Sequence, residues 1–262
     1  MISSKKVLDP TGLVPLLTHD RVVAAYPLGD LDATYADFCE WWAHEDTAGR
    51  PDAAVLLYTG LRSPVLLTVG TADGVDDVLD SMGQSLPQRF FAHVMAEHRP
   101  VVDRRAKATH FRPMVRMALQ RQRWAPPESA EAIEEVVPVG HQDTADLMAL
   151  YAFYPDAFFE PYQLESGFYF GIRRNGRLVS VAGTHIVSRA YDIACLGNVV
   201  THPDYRSQGL SRRCTQRLLG ELFQHVTLCA LNVQKDNARA HAIYRHLGFM
   251  DHVEYVEGVV EL

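Results

Sequence analysis

The segment of this 262-residue chain that most clearly suggests chemistry is the short loop Arg206–Ser211. Hydrophobic residues ending at Val200 predict a strand before it, and apolar residues recurring from Leu210 to Leu222 predict a helix after it. Small residues in such a loop let backbone N–H groups converge where the helix begins, and the helix N-terminus adds partial positive charge. The loop therefore predicts an anion site suited to a pyrophosphate.

Four arginines lie in and just after this loop, at Arg206, Arg212, Arg213 and Arg217. The helix macrodipole disfavours cations in the first turns by about 1 kcal/mol or less each. A bound polyanion would offset this cost by neutralising both the helix end and the arginines. We therefore expect a ligand phosphate here, with a solvated basic face as the alternative.

Arg206–Ser211 resembles the pyrophosphate-binding signature Gln/Arg-x-x-Gly-x-Gly/Ala of the GNAT superfamily of acyl-CoA-dependent N-acetyltransferases, with Ser211 at the final small position. A second block, Leu231–Val233 followed by Asn237–Phe249, resembles the N-x-x-A-x-x-x-Y-x-x-x-G-F region of the same superfamily. Two blocks in this order and spacing identify residues from about 130 to 262 as similar to a GNAT domain. Its fold is a mixed, mostly antiparallel twisted sheet flanked by helices.

The resemblance implies acetyl-CoA as co-substrate, with the main chain at the end of the strand pairing with the pantetheine arm. The residues that it assigns to the cofactor are Val199, Val200, Thr201, Arg206, Ser207, Gln208, Gly209, Leu210, Ser211, Arg212, Asn232 and Asn237. The matching tyrosine of the family lies near the thioester sulfur and can protonate the departing thiolate, which is the role implied for Tyr244. From the residues alone, Tyr244 could equally be a packed aromatic on the helix face that ends at Gly248.

The implied reaction is direct transfer of an acetyl group to an amine, with both substrates bound together. A backbone N–H near Val199 is expected to polarise the thioester carbonyl. The general base is not identified, since Glu160, Glu165, His185, His202 and a relay through water all stay open. The alternative function is a non-catalytic acetyl-CoA or CoA sensor that kept the phosphate loop.

The acceptor is expected to be an amine of a small molecule or a peptide. Aromatic residues are frequent from Tyr151 to Tyr169, with Asp156, Glu160 and Glu165 among them. This stretch is either hydrophobic core plus loop, or a pocket whose carboxylates would suit a small cationic amine. We expect a monomer or a homodimer.

The composition argues against several other classes. Lys and Arg number 25 against 32 Asp and Glu, a net charge of −7 that does not suit a general nucleic-acid binder. No apolar run reaches the roughly 20 residues that cross a bilayer, and no signal peptide begins the sequence, so we expect a cytoplasmic protein. The four cysteines form no CxxC pair and the histidines no HExxH motif, so no metal site is expected.

One stretch departs from the acidic average, because Arg99–Arg123 holds eight basic residues and one acid. Val115, Met117 and Leu119 alternate with Arg116 and its neighbours, which predicts a strand. We expect its basic charges on a solvated face or an interdomain seam, and nucleic-acid binding is the less favoured alternative.

The length allows two modest domains, and Trp124–Pro127 predicts the boundary because two prolines follow the end of the basic stretch. We assign 126–262 to the catalytic GNAT domain and 1–125 to a degenerate GNAT-like or accessory α/β domain. Two tandem GNAT-like halves fit the length, since the order of strands and helix in the first half could be a degenerate copy. An unrelated α/β partner domain is the alternative.

Overall fold

A computed structural model describes residues 3–127, 133–155 and 157–262. The chain forms two compact units that interleave in sequence. The first contains Met1–Arg116, Val233–Asn237 and Asp251–Leu262, and the second contains Met117–Asn232 and Ala238–Met250. These spatial units differ from the division at residue 125, since the last segment of the chain belongs to the first unit. The assignment of 1–125 and 126–262 to two family domains stays a prediction.

The elements up to the predicted boundary begin with β1 (Ser3–Val7), α1 (Val14–His19), α2 (Ala25–Gly29), β2 (Cys39–Glu45) and β3 (Pro51–Tyr58). They continue with β4 (Val65–Gly70), α3 (Ala72–Met82), β5 (Arg89–Met95), α4 (Arg99–Asp103) and β6 (Ala108–Gln120). After it come β7 (Val137–Pro138), α5 (Thr144–Tyr151), β8 (Phe170–Arg174), β9 (Arg177–Ser188) and β10 (Ile193–Thr201). The last elements are α6 (Leu210–Leu222), β11 (Leu228–Gln234), α7 (Ala238–His246) and β12 (Met250–Glu261).

The first unit is a mixed sheet with the order β1-β2-β3-β4-β5-β12-β6. β4 and β5 are parallel, and β1, β2, β3 and β4 pair antiparallel with one another in sequence. The final strand of the chain completes this unit, with Tyr255 to Glu261 antiparallel to β5. The predicted division at residue 125 instead assigns this strand to the second half of the chain.

Helix α3 covers the core of the first unit with an amphipathic face. Val75, Val78, Leu79 and Met82 are buried at helical spacing against strand residues such as Leu66. Four aspartates lie at positions of α3 that this apolar face does not use, namely Asp73, Asp76, Asp77 and Asp80. The helix is therefore acidic on its outside.

The basic stretch is not a free cationic surface. Arg104 forms an ion pair with Asp76 at 2.6 Å, and Arg105 forms ion pairs with Asp76 and Asp80 at 2.5 Å. Part of the positive charge of the basic stretch is therefore paired with the aspartates on the outer side of α3.

The basic strand was expected on a solvated face or an interdomain seam, and for Arg116 the solvated face is wrong. Its side chain is 0% exposed, and its guanidinium donates to the carbonyl of Val23 at 2.5 Å and to the Tyr255 hydroxyl at 3.2 Å. It also contacts Nε2 of His93, whose Nδ1 lies 3.0 Å from Glu257. A buried guanidinium is tolerated where carbonyl groups and aromatic rings replace the water around it. The alternation of apolar and polar residues in the sequence therefore predicted the wrong environment for Arg116.

The second unit has the strand order β6-β11-β10-β9-β8-β7. The hairpin predicted at Asn175-Gly176 is confirmed, because β8 and β9 pair antiparallel and these two residues have φ of +50° and +80°. β10 and β11 are parallel, and the apolar face of α6, including Cys214, Leu218 and Leu222, is buried. No described helix is both long enough and apolar enough to span a membrane.

Candidate active site

The two parallel strands β10 and β11 separate where the cofactor site is predicted. Their pairing runs from Ile193 to Cys195, opposite Leu228 to Ala230, although β10 continues to Thr201. The last part of β10 therefore keeps a backbone edge that the register with β11 does not use. Such an edge can accept an extended ligand arm as an additional strand.

β10 is irregular at Asn198, where its register with β9 shifts. The residue has φ of +55°, a conformation that Asn tolerates better than most residues. Its carbonyl accepts a hydrogen bond from the Tyr151 hydroxyl at 2.8 Å, and its amide donates to Gln163 at 3.0 Å and to Tyr169 at 2.8 Å. This bulge re-aims the backbone beside Val199, which has no partner in the register with β9.

The predicted phosphate loop has the backbone conformation that converging N–H groups need. Ser207 and Gly209 have φ of +67° and +73°, and Gly209 is the N-cap of α6 without a side-chain cap. A Cβ on Gly209 would meet no heavy atom within 4 Å, so the loop is open on that side. Gln208 is also exposed, whereas Leu210 is buried and anchors the helix start. The first N–H groups of α6 are thus available to an anion.

Two of the four arginines near the loop are ion-paired with acids. Arg213 contacts Glu135, and Arg217 lies 2.8 Å from Glu221 on the next turn of α6. Ion pairs of this kind account for these two cations without a ligand. A bound polyanion is therefore not needed to explain all four arginines.

Arg206, Arg212 and Arg239 differ from that pair, because within the part of the chain that the structure describes none of them has a carboxylate partner. Arg212 lies 3.4 Å from Nε2 of His246, and Arg239 donates to the Ser207 hydroxyl at 2.8 Å. The positive charge of these three guanidinium groups is therefore available to neutralise phosphate charge. Sequence reasoning missed Arg239, although it lies in the first turn of α7, where the macrodipole also disfavours a cation.

Tyr244 lies on α7 and is partly buried, with its ring 5.9 Å from that of Phe249 in an edge-on contact. Burial raises the pKa of Tyr244 to about 12, so the phenol keeps its proton at neutral pH. The left-handed conformation predicted at Gly248 is confirmed, with φ of +97°. Both the packing role and the chemical role of Tyr244 stay predictions.

The remaining predicted cofactor residues lie on or beside β10, α6, β11 and α7. Val200 is buried, Thr201 ends β10, and Ser211 is in the first turn of α6. Asn232 is half-buried in β11, and Asn237 is an exposed residue directly before α7 that falls within the first compact unit. Ligand contacts of these residues stay predictions.

The aromatic stretch divides into two groups. Tyr151 and Phe159 stack with ring centroids 4.7 Å apart, and the buried members of the stretch are Tyr151, Phe159, Phe168 and Tyr169. Tyr154, Phe158 and Tyr162 are half-buried, and Phe153 is 51% exposed. The interpretation as core therefore holds for the first group, whereas the second group can still contact a ligand. Asp156 lies outside the described residues.

The structure engages two of the candidate bases in hydrogen bonds. Gln163 accepts at Oε1 from the Glu160 N–H, so its amide nitrogen faces Nδ1 of His185 at 3.4 Å. His202 accepts at Nδ1 from the Asp204 N–H at 3.2 Å. A ring nitrogen that accepts a hydrogen bond is less available to a substrate proton. Glu165 is exposed and Glu160 half-buried, so the base is still not assigned.

Across the residues that the structure describes, no group of three or more His, Cys, Asp and Glu side chains could hold a metal ion. Cys195, Cys214 and Cys229 are buried free thiols, and Cys39 is partly buried. Burial raises the pKa of the Cys214 thiol to about 12, which makes it a poor nucleophile.

Comparison with known proteins bears on the same part of the chain. Residues 139–249 match the model of the acetyltransferase (GNAT) family. Over 81 residues the chain is 38% identical to the [ribosomal protein bS18]-alanine N-acetyltransferase of Escherichia coli K12, and the Shigella flexneri enzyme matches equally. The match covers 30% of this chain and 53% of that protein, so the chain spans about half the length of these relatives.

Solved structures match the chain over nearly its whole length at low identity. A Drosophila protein matches with a TM-score of 0.73 and 12% identity, covering 99% of this chain and 98% of its own. A tandem GNAT protein from the clavulanic acid biosynthesis pathway gives a TM-score of 0.60 and 15% identity, covering 100% and 98%. A GCN5-related N-acetyltransferase from Sphaerobacter thermophilus gives 0.63 and 13%, covering 99% and 95%. These likenesses show that the chain has a GNAT fold.

Proposed function

We propose that the chain is an N-acetyltransferase that transfers the acetyl group of acetyl-CoA directly to an amine through a ternary complex. The observation that carries this proposal is the path from the uncovered edge of β10 into the loop at Gly209. Along it lie the uncapped start of α6 and three arginines with no carboxylate partner among the described residues. This combination fits a ligand with an extended polar arm and a polyphosphate end.

Each part of this path has a separate role in the proposal. The edge of β10 binds the pantetheine arm, while the N–H groups of α6 with Arg206, Arg212 and Arg239 neutralise the phosphates. When bound, acetyl-CoA supplies the activated thioester. A backbone N–H beside Asn198, which has φ of +55°, is proposed to stabilise developing negative charge on the carbonyl oxygen.

Tyr244 is proposed to assist departure of the thiolate. Its pKa of about 12 makes it a weaker acid than a thiol, whose usual pKa is about 8.5. The hydroxyl therefore acts chiefly by donating a hydrogen bond to the developing thiolate. The amine nitrogen bonds to the acetyl carbon as the C–S bond breaks, and the proton that the amine loses converts the thiolate to the thiol of CoA. Replacing the hydroxyl would weaken the transition state more than the bound ground state.

The acceptor is proposed to be an amine of a small molecule or a peptide. The curated relatives are named for acetylation of an alanine in a ribosomal protein, which supports including peptide amino termini. The half-buried aromatics and the carboxylates Glu160 and Glu165 support a cationic amine.

The test is thiol release from acetyl-CoA with a panel of small amines and peptides that carry an amino-terminal alanine. We expect turnover with at least one acceptor, and about a hundredfold lower kcat in Tyr244→Phe with little change in the KM for acetyl-CoA. Tight CoA binding without release for any acceptor would instead support the non-catalytic sensor. An unchanged kcat in Tyr244→Phe would restrict this residue to packing.

A further inference from the structure

Tyr154 connects the chain segment after α5 to the predicted phosphate loop. Its hydroxyl donates a hydrogen bond to the carbonyl of Thr201, the last residue of β10. The same oxygen accepts from a guanidinium nitrogen of Arg206 at 2.8 Å. The guanidinium carbon of Arg206 lies 5.6 Å from the centre of the Tyr154 ring, within cation–π range.

The direction of these hydrogen bonds fixes the position of the arginine. A phenol has one O–H group, and Tyr154 uses it to donate a hydrogen bond to the Thr201 carbonyl. A lone pair of the phenol oxygen therefore accepts the hydrogen bond from Arg206. The guanidinium is thereby held at the end of β10, where the loop begins. Without this contact a long, exposed arginine would sample many rotamers.

Neighbouring rings brace the same junction. Phe153 contacts His202 edge-on with ring centroids 4.5 Å apart, and His202 contacts Tyr205 at 5.6 Å. The segment at residues 153–154 therefore holds both the backbone end of β10 and the turn that follows it. None of these aromatic residues belongs to the cofactor-binding set predicted from the sequence.

We propose that Tyr154 is a positioning residue for coenzyme A binding, which acts by holding Arg206 ready for the pyrophosphate. The inference rests on the proposed function, because it requires the loop to bind CoA. Binding to a pre-ordered cation costs less conformational entropy than binding to a mobile one. The ring of Tyr154 packs against its neighbours, and its hydroxyl orients the guanidinium of Arg206. Removing the hydroxyl alone therefore separates the packing role from the orienting role.

The test compares Tyr154→Phe with the unmodified chain, using isothermal titration with CoA. We expect about a tenfold higher Kd, the size of one hydrogen bond to a charged group. The KM for acetyl-CoA should rise in parallel, while kcat at saturating acetyl-CoA stays unchanged. The melting temperature should fall by only about 2–4 °C, because one hydrogen bond to the Thr201 carbonyl is lost and the packing of the ring is kept. Tyr205→Phe is the control, since it removes a tyrosine hydroxyl from the connection between β10 and α6, next to Arg206, with no effect expected on Kd.

A double-mutant cycle shows whether Tyr154 acts through Arg206. In an Arg206→Gln background, Tyr154→Phe should change the Kd for CoA by less than about twofold. An equal Kd for Tyr154→Phe and the unmodified chain would overturn the inference alone, as would the same factor in both backgrounds. Absence of CoA binding by the unmodified chain would overturn the proposed function and this inference together.

Discussion

The two compact units contain the same kind of junction, a parallel strand followed by a helix, built in opposite ways. In the first unit β4 ends at Gly70 and α3 begins at Ala72, so Thr71 alone connects them. In the second unit the connection runs from the end of β10 at Thr201 to Leu210. A one-residue connection leaves no loop in which several N–H groups could surround a phosphate.

The charges and caps of the two helix starts differ in the same sense. The Thr71 hydroxyl accepts from the Gly74 N–H at 3.2 Å, and Asp73 adds a negative charge to the first turn of α3. The start of α3 thus has a protein acceptor for one of its free N–H groups and a protein carboxylate beside its partial positive charge. The start of α6 has neither a side-chain cap nor an acid, and arginines surround it. One helix start is therefore complete, and the other is open to an external anion.

The two parallel strand pairs also differ in the part of the strand that follows the three paired residues. β4 and β5 pair only from Val65 to Leu67, much as β10 and β11 do over three residues. In the first unit the fully buried His98 bonds to the Thr68 hydroxyl at 2.8 Å and to the Gly70 carbonyl at 3.0 Å. It uses groups at the end of β4 that an extended ligand would need. The presence of a similar strand-to-helix junction in both units thus does not imply the same chemistry in both.

The largest expected effect comes from Gly209→Asp. A carboxylate at this position would oppose phosphate charge at the start of α6, and the left-handed backbone adds strain. We expect one CoA per unmodified chain in isothermal titration and at least a hundredfold weaker binding in the variant.

Gly167→Asp is the control for backbone strain, because Gly167 has φ of +73° and ψ of +4°, close to the +73° and +10° of Gly209, and also has open space around a Cβ. It ends the helical turn Pro161–Ser166 and should leave the Kd for CoA unchanged. A Gly209→Asp protein that still binds one CoA tightly would place the site elsewhere and break the comparison between the two junctions.

Features encoded by neighbouring residues could be predicted from the sequence. The turn at Asn175-Gly176, the end of α7 at Gly248 and the phosphate loop each depend on residue types that tolerate positive φ or shorten a turn. Their signals need no knowledge of distant partners. This is why the second half was easier to interpret than the first.

Features that depend on distant partners could not be predicted. The pairing of Tyr255 with Met95 joins residues far apart in sequence, so nothing near β12 shows that it completes the first unit. The burial of Arg116 depends on Val23 and Tyr255 in the same way. Asn198 gave no signal for its bulge either, because a strand interior was the default expectation for an apolar run.

An intermediate effect is expected from the buried His98. Burial lowers its pKa, so the unfolded chain binds a proton near pH 6 that the folded chain does not. The free energy of unfolding should therefore fall as the pH drops from about 7 to 5, by at most about 1.4 kcal/mol per pH unit for this group. In His98→Gln, urea denaturation at several pH values should show a smaller slope.

Two other histidines frame this result. His93 also has a pKa lowered by burial, so part of the slope should persist in His98→Gln. His19→Gln replaces an exposed histidine and is the control for the change from histidine to glutamine. If the free energy of unfolding of His98→Gln depended on pH as strongly as that of the unmodified chain, His98 would not be held neutral by burial. The proposed difference between the two parallel strand pairs would then fail.

The smallest effect is expected from Thr71→Ala, which removes the cap of α3 and the contact of the hydroxyl with Asp52 at 3.4 Å. Loss of an N-cap typically costs about 1 kcal/mol, so the free energy of unfolding by urea should fall by about that amount. The Kd for CoA should not change, because this helix start serves stability alone. Thr18→Ala, which removes an exposed hydroxyl bonded to the Val14 carbonyl, is the matched control for loss of a threonine. Weaker CoA binding in Thr71→Ala would mean that the closed junction also contributes to ligand binding, and the contrast between the two helix starts would then fail.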